Sequence, residues 1–584
     1  MTKKYRNKNT ATINKKSTKT FFDPWTWPWV ISIILLLTCI AYWPSLDNGL
    51  TNWDDEIYVV DNPVIQQLSV QNIKTMFTGA VVDNYFPLTM LSLAFNYALG
   101  GADATSYHWL NLLLHLLNTC LVFYFIWQLS KQKMMVATLV ALGFALHPMH
   151  VESVAWVAER KDVLYAAFFL GGLITYLKYL NSPKKSLYYA LTCLLFIGSL
   201  LSKPAAVVFP IILWLIDYYW QRKWQLSVVI EKLPMLALSI VFGLITIQVQ
   251  NDLAIGEISQ YSLWQKIAFA SYGTMAYIVK MVAPFNLSAL YPYPITQASE
   301  TLPFLFNCAP FVLVAISAMV IWSLKHTRLI AFGLAFYWIN IALVLQFVSV
   351  GNAIIADRYT YLSYIGLLFI VANAVYYVWQ QDDSRYQKVR PIISLLVGIG
   401  LLVGLVGTFQ RCKIWKNSET LWSDAINSDP SNTLAYTKRG LHYYSTKNYP
   451  KALNDYNKAI ELNATYHLPY ANRGMVFFKN NMYDKALNDY NKAIELNPNY
   501  YMTYNNRGHL QYTLQENDKA LNDYNKCIEL NPNYYMVYNN KAIIHHINQN
   551  YNEALDNYNK ALSLRPNYQS ALKNRTQLYQ DMKQ

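Results

Sequence analysis

The chain has 584 residues and a net charge of +14, yet charged residues make up only 14% of it and aromatics 15%. An average globular chain is about 25% charged, which excludes a wholly soluble protein. The length allows two or three domains, and apolar runs of the about 17–25 residues that cross a bilayer recur until residue 409.

The excess positive charge has a pattern. Lys3, Lys4, Arg6, Lys8, Lys15, Lys16 and Lys19 stand near the start with no acidic residue among them. Other cations fill short links between apolar runs: SKQK (130–133), NSPKK (181–185), YYWQRKW (218–224), LKHTR (324–328) and SRYQKVR (384–390). This follows the positive-inside rule and not a nucleic-acid surface. Residues 1–24 read as a basic cytoplasmic tail, and nucleic acid is not an expected partner.

In chain order, the expected spans are 28–46, 107–129, 135–151, 163–180, 187–202, 204–220, 233–250, 303–324, 328–348, 360–379 and 391–409, eleven in a transmembrane domain of 25–411. Trp25, Trp27, Trp29, Tyr42 and Trp43 bracket the first span as aromatic belts. It is too long for a cleaved leader and reads as a signal anchor. It delivers GLTNWDDEIYVVDNP (49–63) to the extracytoplasmic face, at the head of a loop of 47–106. A second external loop, 251–302, holds an ambiguous run of 13 residues between Lys266 and Lys280. At 1.5 Å per residue it reaches about 20 Å, short of a core about 30 Å thick. Residues 264–283 are therefore expected along the membrane surface as an amphipathic helix.

Beyond a connector and half repeat (412–432), the sequence repeats every 34 residues. Gly440, Gly474 and Gly508 keep that step, with Ala542 fourth, as do Tyr456, Tyr490, Tyr524 and Tyr558. The period, the small residues and the closing Pro498, Pro532 and Pro566 resemble tetratricopeptide repeats. Four units span 433–568, and 569–584 is the expected capping helix. Such arrays bind peptides or proteins. The fold class is therefore all-α, a polytopic helical membrane domain followed by an α-solenoid, and if eleven spans cross, the solenoid lies outside with the carboxylate pair of the first loop.

Four external segments concentrate polar residues: WDDEIYVVDNP, HPMHVESVAWVAERKDVL (147–164), LSKPAAVVFP (201–210) and ADRYTYL (356–362). The acidic pair after the first span, these blocks and the repeats, in this order, resemble the transmembrane and tetratricopeptide-repeat family of GT-C glycosyltransferases. The resemblance implies a polyprenyl-phosphate-linked sugar as donor, mannose or a similar hexose, and protein hydroxyls as acceptors. Many relatives carry an Arg before the proline of NYFPLTMLSLAFNYALGG (84–101); this chain has Phe86 there.

The residues supply matching chemistry. A carboxylate at the interface, Asp54 or Asp55, serves as base toward a hydroxyl, with its neighbour supporting it or raising its pKa. Cations must hold the leaving phosphate. Arg160 and Arg358 are the candidates, and Lys203, at a broken helix, faces either that phosphate or a carboxylate. His150, Glu152, Asp162, Tyr359 and Tyr361 are expected in support. The spacing of His147, His150 and Glu152 could suit a divalent metal, but a proline intervenes and no third ligand is evident, so no metal is assigned and no cofactor beyond the donor. Six scattered cysteines, with no CxxC pair, suggest neither a disulfide framework nor a zinc site. The Lys/Asn/Tyr-rich composition and brief loops point to a bacterial inner membrane in preference to the endoplasmic reticulum. The rival reading is a non-enzymatic, membrane-anchored repeat scaffold for envelope assembly.

Overall fold

Every one of the eleven apolar segments contains helix in the computed structural model, which describes residues 27–80, 84–250, 261–295, 299–345 and 353–583. The basic tail, 1–24, lies outside the described residues. Among those residues there is no strand, only an isolated bridge between Tyr291 and Ile355. Among the described residues seven helices are long and apolar enough to cross a membrane, so the chain is a multi-pass membrane protein. An eighth arises if Met134–Ala145 and Pro148–Ala155, bent by 56°, form one broken span. The other three expected spans, Pro204–Tyr219, Leu329–Val344 and Tyr364–Gln380, are shorter helices.

The helix Ala104–Leu129 is the axis of the membrane half, packing on Trp27–Tyr42, Met134–Ala145 and Arg160–Asn181. Two breaks interrupt the membrane half. Each is an X-Pro step, at His147-Pro148 and Lys203-Pro204, where proline disfavours helical backbone in the residue before it. The carbonyls near the breaks are satisfied by side chains of other helices. Thr408 donates to Leu146 O at 2.9 Å and Thr89 to Ser202 O at 2.8 Å, sparing each the cost of an unpaired buried oxygen. The long helix Ser384–Ile414 runs against the first break through Gly404 and Gly407. A Cβ there would come within 2.8 Å of Leu146 O and 2.9 Å of the Pro148 ring.

The helix Leu263–Val282 opens on a Ser262/Gln265 capping box. Expected as a surface helix, it buries Ala268, Phe269, Thr274 and Tyr277. Tyr277 OH accepts from Ala356 N–H at 3.0 Å, and Tyr364 OH donates to Tyr277 O at 2.6 Å. This helix thus braces the chain leading into Arg358 as well as presenting an outer face.

The repeats form eight helices from Thr433 to Leu564, capped by Gln569–Asp581. In the first three units an arginine grips an aspartate sixteen residues on through two bonds of 2.7–2.8 Å: Arg439–Asp455, Arg473–Asp489 and Arg507–Asp523. The second and third arginines also reach back one unit, to Asn457 and Asn491 at 2.7 Å. The repeating glycine permits close approach, since a Cβ at Gly440, Gly474 or Gly508 would stand 2.6–2.7 Å from the ring of Tyr456, Tyr490 or Tyr524.

Candidate functional site

The first loop is sewn to the connector before the repeats. Gly49 N–H donates to Lys416 O at 2.9 Å, Asn48 Nδ2 to Cys412 O at 3.0 Å, and Asn52 N–H to Ser418 Oγ at 2.9 Å. Asn52 also accepts from Trp422 Nε1 at 2.7 Å and donates to Lys438 O, in the first repeat helix, at 2.9 Å. Trp53 packs on Trp156 and Trp422 with ring centres 4.8 and 4.9 Å apart. Membrane helix breaks, loop and repeats therefore meet at one point.

The two adjacent carboxylates have different environments there. Asp55 is buried and saturated. Thr51 donates its N–H (2.8 Å) and hydroxyl (2.9 Å) to Oδ2, and Ala158 N–H donates to Oδ1 at 2.8 Å. Burial nevertheless pushes its pKa up to about 7 against the pull of those bonds. Asp54 is half-buried, and among the described residues its carboxylate has no hydrogen-bond or ion-pair partner. Burial raises its pKa; Lys161 opposes that rise, Glu159 adds to it, and Arg358 and Lys438 oppose it. Asp55 is a staple, and Asp54 is the carboxylate of the pair left without a partner among the described residues.

Beside Asp54 lies a group of three cations and three buried carboxylates. Arg358 Nη1 pairs with Glu152, its backbone N–H donates to Glu152 Oε2 at 2.9 Å, and its Nε lies 3.3 Å from Glu159. Lys161 Nζ is 3.2 Å from Glu159 and stands over the rings of Tyr58 and Phe86 at 5.3 and 5.9 Å. Lys203 pairs with Asp162, which also accepts from Ser153 Oγ at 3.0 Å, and lies 3.8 Å from Glu159. Of the two partners left open for Lys203, phosphate or carboxylate, the structure supplies a carboxylate, Asp162. Tyr359 OH is 3.4 Å from Arg358 Nη2, and its ring lies under the guanidinium at 4.8 Å.

Other sequence-predicted residues lie deeper or apart. Arg160 is fully buried and its acceptors are neutral: Asn111 on Nε, Ser92 and Asn96 on Nη1 at 2.9 Å, and Tyr107 O on Nη2 at 2.9 Å. Four of its five donors are occupied, and it ties helices together instead of facing Asp54. Tyr361 OH bonds with His115 Nδ1 at 2.8 Å and Asn118 Nδ2 at 3.1 Å, beneath the ion group. His150 Nδ1 bonds Phe144 O at 2.8 Å, and His147 Nε2 bonds Met281 O at 3.1 Å. Among the described residues no three His, Cys, Asp or Glu side chains are grouped to hold a metal ion.

Sequence reasoning gave no site role to Glu159, Lys161 and Lys438, though it weighed Lys161 as part of an ion cluster with Arg160 and Asp162. The first two stand in the quoted AERKD run, whose charges in an apolar block were the available signal. Lys438, from the repeats, contacts Asn52 O at 3.5 Å and acts electrostatically on Asp54 and Glu56.

The family model described as tetratricopeptide repeat matches residues 468–500, 501–534 and 535–568, and one described as TPR repeat matches 440–481. Protein O-mannosyl-transferase TMTC3 of Mus musculus is 24% identical over 490 residues, 74% of this chain and 50% of its own length. Protein O-mannosyl-transferase F38B6.6 of Caenorhabditis elegans is 22% identical over 462 residues, 74% of this chain and 63% of its own. The chain spans about half the length of the TMTC3 relatives it matches. A crystal structure of MamA aligns with a TM-score of 0.23 at 23% identity, covering 29% of this chain and 95% of that one.

Proposed function

With homologues that are TMTC protein O-mannosyl-transferases, we propose that this chain is a membrane glycosyltransferase of the GT-C type. It moves a hexose, mannose or a similar sugar, from a polyprenyl phosphate to a protein hydroxyl on the extracytoplasmic face of a bacterial inner membrane. The repeats recruit the acceptor. One observation carries this reading: an unpartnered carboxylate, Asp54, lies within the fields of Lys161, Arg358 and Lys438.

Asp54 takes the acceptor's hydroxyl proton as its oxygen bonds to the anomeric carbon. The bond from that carbon to the phosphate oxygen breaks, and the electron pair leaves with the phosphate, inverting the centre. Lys161 spends one of its three donors on Glu159, and Arg358 Nη2 has only the long Tyr359 contact. Both retain donors for the growing negative charge. Lys203 contributes field, and Asp55 keeps the loop in position.

The test is purified full-length protein with labelled polyprenyl-phosphate mannose, scoring release of lipid phosphate. Asp54→Asn is expected to lower turnover about 100- to 10,000-fold, the range of a lost general base, while folding and donor binding persist. Undiminished turnover in that variant, or no release by the parent protein with any hexose donor and peptide acceptor, leaves the scaffold reading in its place.

A further inference from the structure

At the far end of the membrane half lies a cavity of about 610 Å3. It is bounded by the turn after Leu129, the end of the helix Phe209–Tyr219 and the link before Leu329. The distance from Asp54 follows from the axial helix Ala104–Leu129. Near its start Asn111 donates to Trp156 O at 3.2 Å, two residues before the Ala158 that donates to Asp55, and its last residue lines this cavity. From Asn111 to Leu129 the helix rises about 27 Å at 1.5 Å per residue.

The lining is cationic. Lys131, Lys133, Lys325, His326 and Arg328 converge on the cavity, and no carboxylate lines it. Arg328 donates to Tyr218 O at 2.8 Å, and Lys133 lies 4.8 Å over the Tyr376 ring, so both are oriented without meeting an acid. Burial, together with Lys131, lowers the Lys133 pKa, as expected of a cation crowded by its own kind.

Two helices also begin here, Met134–Ala145 at Lys133 and Leu329–Ile341 at Arg328, and neither N-cap side chain makes a capping bond. Only Thr327 Oγ1 intervenes, accepting Leu329 N–H at 3.1 Å. Helix starts of this kind present free N–H groups and partial positive charge to an anion. Trp220 lines the cavity as well, its Nε1 fixed on Leu129 O at 3.2 Å. At the rim the apolar Leu324 and its neighbour Trp322 are 44% and 63% exposed, a surface fit for acyl chains beside the charged hollow.

We propose that this cavity binds the phosphate headgroup of an anionic phospholipid, with the acyl chains lying against Leu324 and Trp322. Unpaired cations and two helix starts supply the phosphate site, and the apolar rim favours a lipid over free phosphate. The reading does not depend on the transfer reaction, because it concerns different residues at the other end of the molecule.

Native mass spectrometry of the full chain, released from detergent, tests it with dioleoyl phosphatidylglycerol and dioleoyl phosphatidylcholine in parallel. The wild type is expected to retain phosphatidylglycerol and not phosphatidylcholine. Lys133→Gln with Arg328→Gln is expected to weaken retention about thirtyfold, the effect of two surface cations on an anionic lipid. A control, Lys184→Gln with Lys388→Gln, removes the same charge from exposed positions outside the cavity and is expected to bind as wild type. Equal retention by the cavity variant and wild type, or equal binding of the two lipids, overturns the proposal. So does loss of binding in the control, which would show a diffuse charge effect. Displacement of phosphatidylglycerol by millimolar inorganic phosphate would overturn the lipid assignment in favour of free phosphate. Should the double variant fail to fold, exposed Lys325→Gln reads out the same lining with a smaller expected loss.

Discussion

The two ends of the membrane half treat positive charge in opposite ways. Near Asp54, Lys161, Lys203 and Arg358 are each set against Glu152, Glu159 or Asp162. At the other end five basic side chains line a cavity with no acid among the lining residues. A balanced group holds its cations at fixed positions before any ligand arrives, as electrostatic catalysis requires. An unbalanced group gains most when a mobile anion arrives.

The largest break in that comparison is Glu159→Gln. It strips the carboxylate shared by Lys161, Lys203 and Arg358. Removing one member of a buried ion group costs about 3–5 kcal/mol, so chemical unfolding of the purified variant is expected to shift by that much, with transfer falling alongside.

Asp55 gives a pH-dependent version. Its pKa is about 7 in the folded chain against an ordinary 3.8, so the folded state holds the proton more tightly. Its contribution to stability is greatest below about pH 4 and declines as pH rises to about 7. The stability difference between wild type and Asp55→Asn is therefore expected to shrink across that window, as followed by thermal unfolding at several pH values.

A smaller effect comes from Lys438→Gln. Lys438 favours the charged form of Asp54, so its loss raises the Asp54 pKa. The acidic limb of the transfer rate is expected to move to higher pH while turnover at its plateau persists; an unmoved limb would detach the repeats from the chemistry. The smallest is Lys325→Gln at the unbalanced end. No carboxylate there loses a partner, so unfolding is expected to change by less than about 0.5 kcal/mol.

Much of this arrangement was legible in the sequence, and what was not has a physical reason. The eleven apolar runs and the 34-residue period are local patterns, and each run contains helix, though three of those helices are shorter than a full span. The blocks holding Asp54, Glu152 and Arg358 were recognisable as charge in apolar surroundings. Burial depth was not, because Arg160 and Lys161 are neighbours in sequence yet a helical turn sends one to neutral oxygens and the other toward Asp54. The roles of Asp54 and Asp55 separated for the same reason, since the donors on Asp55 come partly from Ala158, far along the chain. Lys438 did leave a trace. The matching positions in the other three units are Asn472, Asn506 and Asn540, so a lysine interrupts an otherwise uniform position.

The array also touches the first loop at its far end, where Arg565 lies 3.5 Å from Asp61. A coil fixed only at its start swings freely; one caught at both ends becomes a closed hoop. The second catch is solvent-exposed, worth about 1 kcal/mol or less, and opens readily. Any displacement of Arg565 therefore bears on Asp61, seven residues along from Asp54, so the last turn of the coil and the unpartnered carboxylate share one short stretch of backbone.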